Sequence, residues 1–494
     1  MTNIVDQKTG RTCMLRFFDE RNGNRGNLNR QEFLRIAGLS ALAGTGWRSA
    51  SAADGGKDSG NSSSGVRRAK SVIVVFASGG QSQLEMWDPK PEAPLEVRGA
   101  FAPISSAVPG TILSEHLPRV ARLADKYTLV RTMSHADMDH GSAVYLSLTG
   151  NYHARISSNP EAKPTDLPSL MSIYQRLRPS DGTIAPAVLV NGPIIVAPQD
   201  IAPGQFGGLL GRDFDPMFVG NVNTDTVAVP GLVSQPELPS VRIRERERLL
   251  AAIDRSLRSQ ESNTRMTDLD GQYRKAFELL ADPRTREAFD LSAEPDPLRR
   301  RYGRHRAGQA CLLARRLAEA GVPLITVIWN HQSRGQDLHP EDDEFYGWDT
   351  HNDIFDVLQN HLLPRFDQSF SALLEDLESR GMMDDTLVIC MSEFGRAPLV
   401  ALERTFAGAS PGRKHWPAAY SILMAGAGVS RGKVVGKTDR YGGYPASESY
   451  GPWDIAATIF AALGISRDDH YLDPLSRPYP VTVGSPISAV YSGS

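Results

Sequence analysis

The chain has 494 residues, a formal net charge of −3, and a composition of 40% hydrophobic and 22% charged residues. Because single hydrophobic cores stop growing at roughly 250–300 residues, this length predicts one large or two ordinary domains. The composition is typical of a globular protein, and the small net charge argues against the large basic surface that nucleic-acid binding needs.

Only three cysteines are present: Cys13, Cys311 and Cys390. This number is too small for a disulfide-stabilised scaffold and allows at most one disulfide once a removed amino-terminal segment is discounted. Because Cys390 lies inside an apolar run, we predict that it is a buried thiol without a chemical role.

The amino terminus resembles an export signal. Residues 29–35 are polar and basic, and a weakly apolar stretch of about ten residues and a small-residue pattern follow them, which predicts cleavage near Ala52. The apolar stretch is shorter than the roughly 20 residues that a membrane span requires. The Arg-x-x-Phe-Leu pattern is similar to a twin-arginine signal, although Gln31 replaces the second arginine. We therefore predict an export signal over 1–52 and a periplasmic or extracellular protein; an ordinary amphipathic helix is the alternative.

The segment 53–68 is rich in glycine and serine and is predicted to be a flexible leader. Beyond it, continuous apolar runs predict strands that are buried on both faces of a parallel sheet. These runs are 69–77, 127–130, 187–190, 323–329, 386–391 and 420–425.

Helical spacing of apolar residues occurs between these runs, over 306–320 and 366–380. The alternation of strands and helices predicts a doubly wound, mainly parallel α/β sheet flanked by helices over 69–494. A charged segment over about 236–302 is predicted to be a helical insertion, either a cap or an added layer.

Ligands of open parallel sheets bind outside the carboxyl ends of the strands, so the polar residues that follow each run are the candidate site residues. The chain has only 11 histidines, yet five of them follow strand runs or lie in polar, glycine-rich loops. They are His135, His140, His331, His351 and His415.

Three acidic residues, Asp139, Asp349 and Glu393, lie in the same loops as these histidines. Imidazole and carboxylate groups together suit zinc, manganese or another borderline divalent metal ion. One histidine alone is more often structural, and no compact motif such as His-Glu-x-x-His is present. The set as a whole nevertheless predicts a divalent metal site at this edge.

Several short motifs resemble a secreted family called domain of unknown function 1501, which is placed with the alkaline phosphatase and sulfatase superfamily. The resemblance covers nearly the whole chain and implies an alkaline phosphatase-like α/β fold. The motifs include Asp-His-Gly-Ser at 139–142, Trp-Asp-Thr-His at 348–351, Ser-Glu-Phe-Gly-Arg at 392–396 and Gly-Arg-Lys-His-Trp at 412–416.

In the sulfatases of this superfamily, the nucleophile lies ten residues before the glycine of a Leu-Thr-Gly sequence. It begins a helix whose amino end favours an anionic ester. The resemblance places His140 at this position, ten residues before Gly150, with Asp139 in the place of the aspartate that precedes the nucleophile in alkaline phosphatases. Ser142 is the second candidate nucleophile.

The resemblance also implies that Asp349, His351, Glu393 and His415 bind metal. Two usual ligands are replaced, because Gly79 or Gly80 stands in place of an aspartate and Phe394 in place of a histidine or asparagine. These changes predict one metal ion rather than two.

Two functions are compatible with these features. The first is a metal-dependent hydrolase of small-molecule or glycan phosphate or sulfate esters, in which His140 or a metal-bound water attacks and Arg396 or Lys414 stabilises charge on the ester oxygens. The second is a non-catalytic binding or cell-surface protein that keeps the fold, which the replacements at Gly79, Phe394 and His140 favour.

Overall fold

The computed structural model describes residues 66–179, 185–196, 200–223, 287–330 and 347–491. The predicted export signal, residues 53–65 of the predicted leader and His331 lie outside the described residues. Of the predicted helical insertion, residues 287–302 are described, and they include the α-helix Asp296–Tyr302.

The strands are numbered in chain order. They are β1 (Ser71–Phe76), β2 (Pro103–Ser105), β3 (Ile112–Ser114), β4 (Tyr127–Met133), β5 (Ala187–Val190), β6 (Ile195–Val196), β7 (Asp200–Ile201), β8 (Met217–Val219), β9 (Leu324–Ile328), β10 (Thr386–Met391), β11 (Gly395–Arg396), β12 (His415–Trp416), β13 (Tyr420–Ala425), β14 (Lys433–Val435), β15 (His470–Leu472) and β16 (Pro478–Pro480).

The α-helices are numbered in the same way, and a π-helical turn, Leu358–Leu362, joins the eighth to the ninth. They are α1 (Gln83–Met86), α2 (Leu95–Arg98), α3 (Pro118–Arg122), α4 (His140–Thr149), α5 (Leu170–Leu177), α6 (Asp296–Tyr302), α7 (Arg306–Glu319), α8 (Ile354–Val357), α9 (Leu363–Ser379) and α10 (Pro452–Ala462).

Eight strands form one sheet in the order β14-β4-β13-β10-β1-β9-β5-β8. All neighbouring pairs are parallel except those of β13, which runs antiparallel to both β10 and β4. The predicted mainly parallel α/β sheet is therefore confirmed, and each of the six predicted apolar runs supplies one of its strands.

Both faces of the sheet are covered, which explains why its central strands are mainly apolar on both faces. In β1, the side chains of Ile73 and Val75 pack in the core on the side of α7 and α9. Those of Val72 and Val74 pack in a second core with residues of α4, α5 and α10. The sheet is therefore held between two hydrophobic cores, one on each face.

The direction of β13 differs from the sequence prediction, which treated 420–425 as one more strand of a parallel sheet. Because β13 is antiparallel, its amino end lies at the edge where β4, β9 and β10 have their carboxyl ends. The short strand β12, which contains His415 and precedes β13, is thereby brought to the same edge as the loops that follow the parallel strands.

Cys311 and Cys390 are both buried and neither forms a disulfide. Burial raises the pKa of the Cys311 thiol to about 12, and it raises the pKa of Cys390 well above its usual value. The prediction of an inert buried thiol at Cys390 agrees with this environment. Within the described parts of the chain, there is no helix whose length and apolar character would let it cross a bilayer.

Candidate functional site

Four chain segments meet at the carboxyl edge of the sheet. His140 is the first residue of α4, which follows β4; Asp349 and His351 follow β9; and Glu393 follows β10. His415 arrives from the opposite direction, ahead of β13. The side chains of His140, Asp349, His351 and Glu393 are buried, and that of His415, at 15% exposure, is partly buried and the most accessible.

A single carboxylate oxygen lies at the centre of this site. Asp349 Oδ1 is 3.2 Å from His140 Nε2, 3.1 Å from His351 Nε2 and 3.3 Å from His415 Nε2. The last two nitrogens are 2.8 Å apart. We call these four residues the four-residue cluster. Three of them, His140, Asp349 and His415, bring their donor atoms within 4.8 Å of one another and could hold a metal ion.

The other ring nitrogen of each histidine, Nδ1, faces a hydrogen-bond acceptor. The acceptors are Glu393 Oε1 for His140 (2.6 Å), Glu403 Oε2 for His351 (2.9 Å) and the Met138 carbonyl oxygen for His415 (2.6 Å). Because carboxylate and carbonyl oxygens cannot donate, each Nδ1 carries a hydrogen, and each ring directs its other nitrogen, Nε2, into the cluster. All three Nε2 atoms thus converge on Asp349 Oδ1.

This arrangement fits one metal ion. Two Nε2 lone pairs approach to 2.8 Å, as in His351 and His415, only when a cation, either a proton or a metal ion, lies between them. Zinc binds imidazole nitrogen at about 2.0–2.1 Å, so tetrahedral ligand atoms lie about 3.3 Å apart. The separations around Asp349 Oδ1 are close to this value, and His140 Nε2 is buried without a well-formed hydrogen bond. Three nitrogens and one oxygen suit a borderline divalent ion.

The charges in the cluster favour an anionic Asp349, a protonated His140 and a neutral His415. Burial raises the pKa of Asp349, but His140 and Arg396 lower it more, so it lies well below its usual value. Burial and the neighbouring charge on His140 lower the pKa of His415 to about 3. Burial lowers the pKa of His140, but Asp349 and Glu393 outweigh it and raise the value to about 9.

Arg396 supports Asp349 from the protein side. Its side chain is 0% exposed, and Nη2 donates to Asp349 Oδ1 at 2.7 Å and to the Trp348 carbonyl oxygen at 3.1 Å. Its Nε donates to the Gly80 carbonyl oxygen at 3.0 Å. These bonds make Arg396 a buried counter-charge for Asp349, and the predicted contact of Arg396 with ester oxygens has no support in them.

Glu393 was predicted to bind metal, but the structure places it behind His140. Its Oε1 accepts from His140 Nδ1 and, at 2.8 Å, from the backbone nitrogen of Gly79. The neighbouring Gly80 has a φ of 81°, and a Cβ atom there would lie 2.8 Å from the ring of Phe394. Gly80 and Phe394 therefore pack against each other, and the Gly79 nitrogen helps to hold the carboxylate of Glu393 that contacts His140.

Ser142, the second candidate nucleophile, is fully buried in α4. Its Oγ donates to Asp137 Oδ1 at 2.6 Å and accepts from the Ser158 backbone nitrogen at 3.1 Å. The Ser142 hydroxyl is therefore bound to Asp137 and Ser158, and it makes no hydrogen bond to the four-residue cluster.

The remaining predicted residues also lie outside the cluster. Asp139 precedes α4, where its carbonyl oxygen accepts from the Ala143 nitrogen and its side chain makes no capping hydrogen bond. Lys414 is 64% exposed and pairs with Glu403. The structure thus brings together His140, Asp349, His351 and His415, with Glu393 and Arg396 in direct contact around them.

A sequence model of the family described as "Protein of unknown function (DUF1501)" matches residues 69–491. The chain belongs to this family. The DUF1501 match spans every residue of the candidate site, from Gly79 to His415. No curated protein matches the sequence.

Solved structures that are similar to this DUF1501 chain include sulfatase and phosphatase structures. Ps i-CgsB in complex with k-i-k-neocarrahexaose has a TM-score of 0.39 at 11% identity, covering 81% of this chain and 73% of that one. The PsFucS1 sulfatase from Pseudoalteromonas sp. has a TM-score of 0.37 at 15% identity, covering 81% and 68%. The alkaline phosphatase from the Antarctic bacterium TAB5 has a TM-score of 0.36 at 13% identity, covering 81% and 99%.

Two contributors to the site were not found from the sequence. Met138 acts through its main-chain oxygen, a group that every residue type offers, so no sequence signal exists for it. Glu403 lies in an irregular segment after β11, outside the motifs and without a preceding apolar run. Its only signal was an acidic side chain ahead of His415, which is too common to be informative.

Proposed function

We propose that the protein is an exported, metal-dependent hydrolase of phosphate or sulfate esters. The observation that carries the proposal is the convergence of three imidazole Nε2 atoms on Asp349 Oδ1. His140, Asp349, His351 and His415 would hold one divalent ion, and such an ion, when bound, polarises an ester oxygen as a Lewis acid. Zinc fits this donor set well.

The chain's own groups prepare the site for an anionic ester. The amino end of α4 lies at His140, and the positive end of a helix dipole favours negative charge. His415 is the most exposed member of the cluster, so the ester approaches from its side. The adjacent Lys414 is exposed and adds a cation near this opening. Buried neighbours exclude bulk water from Asp349 and His140.

Water is the attacking nucleophile in this proposal. The hydroxyl of Ser142 is held by Asp137, and both ring nitrogens of His140 face carboxylates, Glu393 on one side and Asp349 on the other. Neither side chain is oriented for attack on an ester. Hydrolysis without a covalent enzyme intermediate follows from this arrangement.

Metal analysis combined with an ester screen tests the proposal. We expect purified protein to contain about one equivalent of divalent metal and to hydrolyse an aryl phosphate or an aryl sulfate. Asp349→Ala and His415→Ala should lose both the metal and the turnover. His470→Ala is the matched control, because His470 is an exposed residue whose ring bonds to the Asp468 carbonyl oxygen, outside the cluster. Absence of both metal and turnover in the unaltered protein contradicts the proposal.

A non-catalytic binding protein is the second candidate. The engagement of Ser142 and the presence of histidine at the predicted nucleophile position favour it. A protein that binds metal but hydrolyses neither ester class supports this second candidate over the first. For the export part of the proposal, amino-terminal sequencing of secreted protein should give a start near Ala53.

A further inference from the structure

The segment 403–410 is built around the residues that follow His351. Asn352 Oδ1 accepts from the Glu403 backbone nitrogen at 2.9 Å. Asn352 Nδ2 donates to the carbonyl oxygens of Glu403, Phe406 and Ala407. The next residue, Asp353, accepts through Oδ1 from the Ser410 backbone nitrogen at 2.6 Å. His351, a member of the four-residue cluster, is therefore followed directly in the chain by Asn352 and Asp353, the two residues that anchor segment 403–410.

This segment in turn holds the imidazole of His351 in two directions. Glu403 Oε2 lies in hydrogen-bond contact with Nδ1, at 2.9 Å. The ring of Phe406 stacks on the imidazole with centroids 3.8 Å apart and planes 6° apart. The hydrogen bond fixes which ring nitrogen carries hydrogen, and the stacking fixes the plane of the ring.

His351 differs from the other two histidines in how it is held. His140 is held by Glu393, which is fully buried, and His415 by a main-chain carbonyl oxygen. His351 depends on side chains from a surface segment, since Glu403 is 13% exposed and Phe406 is 41% exposed. The orientation of the His351 ring is therefore the one that a single substitution in this surface segment would leave without support.

We propose that Glu403 is a positioning residue for metal binding, which holds His351 with hydrogen on Nδ1 and the lone pair of Nε2 directed into the four-residue cluster. Phe406 assists by fixing the ring plane. This inference rests on the metal site of the proposed function. Outer carboxylates that bind metal-ligating histidines typically contribute about 10–100-fold to metal affinity.

The experiment compares the unaltered protein with Glu403→Ala, Glu403→Gln and Phe406→Leu. The matched control is Glu378→Gln, because Glu378 also pairs with a lysine, Lys126, but lies in α9, away from the site. Zinc affinity is measured by competition with a chelator, and the visible absorption spectrum of the cobalt-loaded protein reports ligand geometry independently of activity.

We expect Glu403→Ala to weaken zinc binding by about 10–100-fold and to alter the cobalt spectrum. Glu403→Gln and Phe406→Leu should have smaller effects in the same direction, and Glu378→Gln should have none. Unchanged zinc affinity and an unchanged cobalt spectrum in Glu403→Ala overturn the inference and leave the proposed metal site standing.

An unaltered protein that binds neither zinc nor cobalt overturns the metal site itself and both proposals with it. If Glu403→Ala fails to fold by circular dichroism, the isosteric Glu403→Gln variant decides the question. Equal zinc affinity and an equal cobalt spectrum in Glu403→Gln and the unaltered protein then count against the inference.

Discussion

Glu393 Oε1 lies 2.6 Å from His140 Nδ1 and 2.8 Å from the backbone nitrogen of Gly79, so one carboxylate oxygen joins the loop after β1 to the first residue of α4. Glu393→Ala leaves both N–H groups buried without this acceptor. Since hydrogen bonds to charged groups contribute about 1.5–3 kcal/mol each, we expect a loss of about 3–6 kcal/mol in the free energy of unfolding. We also expect zinc affinity to fall by about 10–100-fold. Urea unfolding and chelator competition measure the two effects, and unchanged affinity would show that His140 does not bind metal.

Asp349 and Arg396 form a buried ion pair, which should make the metal-free protein sensitive to Asp349→Asn. The guanidinium of Arg396 is 0% exposed and would lose its anionic partner. Breaking such a pair typically costs about 3–5 kcal/mol. The double variant Asp349→Asn/Arg396→Met should lose less stability than the sum of the two single variants. Purely additive losses in urea unfolding would argue against coupling between the two groups.

Ser142→Ala separates a structural role from a catalytic one. The variant removes the hydrogen bond to Asp137, and we expect it to lower the free energy of unfolding by about 1–2 kcal/mol. Because the hydroxyl is held by Asp137 and makes no hydrogen bond to the cluster, kcat/KM for the best aryl ester should change by less than about tenfold. A stable variant with turnover abolished would identify Ser142 as the nucleophile after all.

Alanine substitutions at Gly80 and Gly110 can be compared to isolate the effect of packing against Phe394. Both have φ near 80°, but a Cβ at Gly80 would meet the Phe394 ring at 2.8 Å, whereas one at Gly110 has no heavy atom within 4 Å. Alanine at either position has to adopt the left-handed conformation, which destabilises the protein by about 1–2 kcal/mol. Gly80→Ala should be the more destabilising of the two in thermal unfolding. Equal losses would show that the Phe394 contact relaxes freely.

Acid should weaken the ion pairs between α7 and the residues before α6. Glu294 accepts from Arg315 Nη2 at 2.6 Å and also pairs with Arg316. Burial raises the pKa of Glu294, but the two arginines outweigh it, and the net pKa is lowered. A carboxyl with a lowered folded-state pKa stabilises the protein above its unfolded pKa of about 4.3, and this stabilisation is lost as the pH falls.

Glu294→Gln therefore has a pH-dependent effect. At pH 7 the variant should be about 2 kcal/mol less stable than the unaltered protein. This difference should shrink as the pH falls below about 4.3. Urea unfolding at a series of pH values measures it, and a difference that stays constant down to pH 3 would contradict the role given to the ion pairs.

The sheet was largely predictable because burial on both faces leaves an unmistakable pattern of continuous apolar residues. The two outermost strands, β8 and β14, were missed because each has three residues and is only partly buried. The direction of β13 was not predictable from its run, since 420–425 would be equally apolar in a parallel or an antiparallel neighbour. The predicted buried thiol at Cys390 required no correction.

The site was predictable in its location but not in its inner arrangement. Strand ends and motif spacing indicate where His140, Asp349, His351 and His415 lie along the chain. They do not indicate which ring nitrogen or which carboxylate oxygen faces inward, so Glu393 was assigned as a ligand when its nearest partner is His140. The roles of these residues as metal ligands stay predictions that the experiments above test.

The position of β13 between β4 and β10 has a consequence for how the site comes into existence. This strand joins two blocks, β14 with β4 on one side and the five strands from β10 to β8 on the other. His140 follows a strand of the first block, and Asp349 and His351 follow a strand of the second. His415 lies in β12, the short strand that precedes β13. We therefore expect metal capture to appear only once β13 has inserted, which would make bound metal a reporter that the two blocks of the sheet have joined.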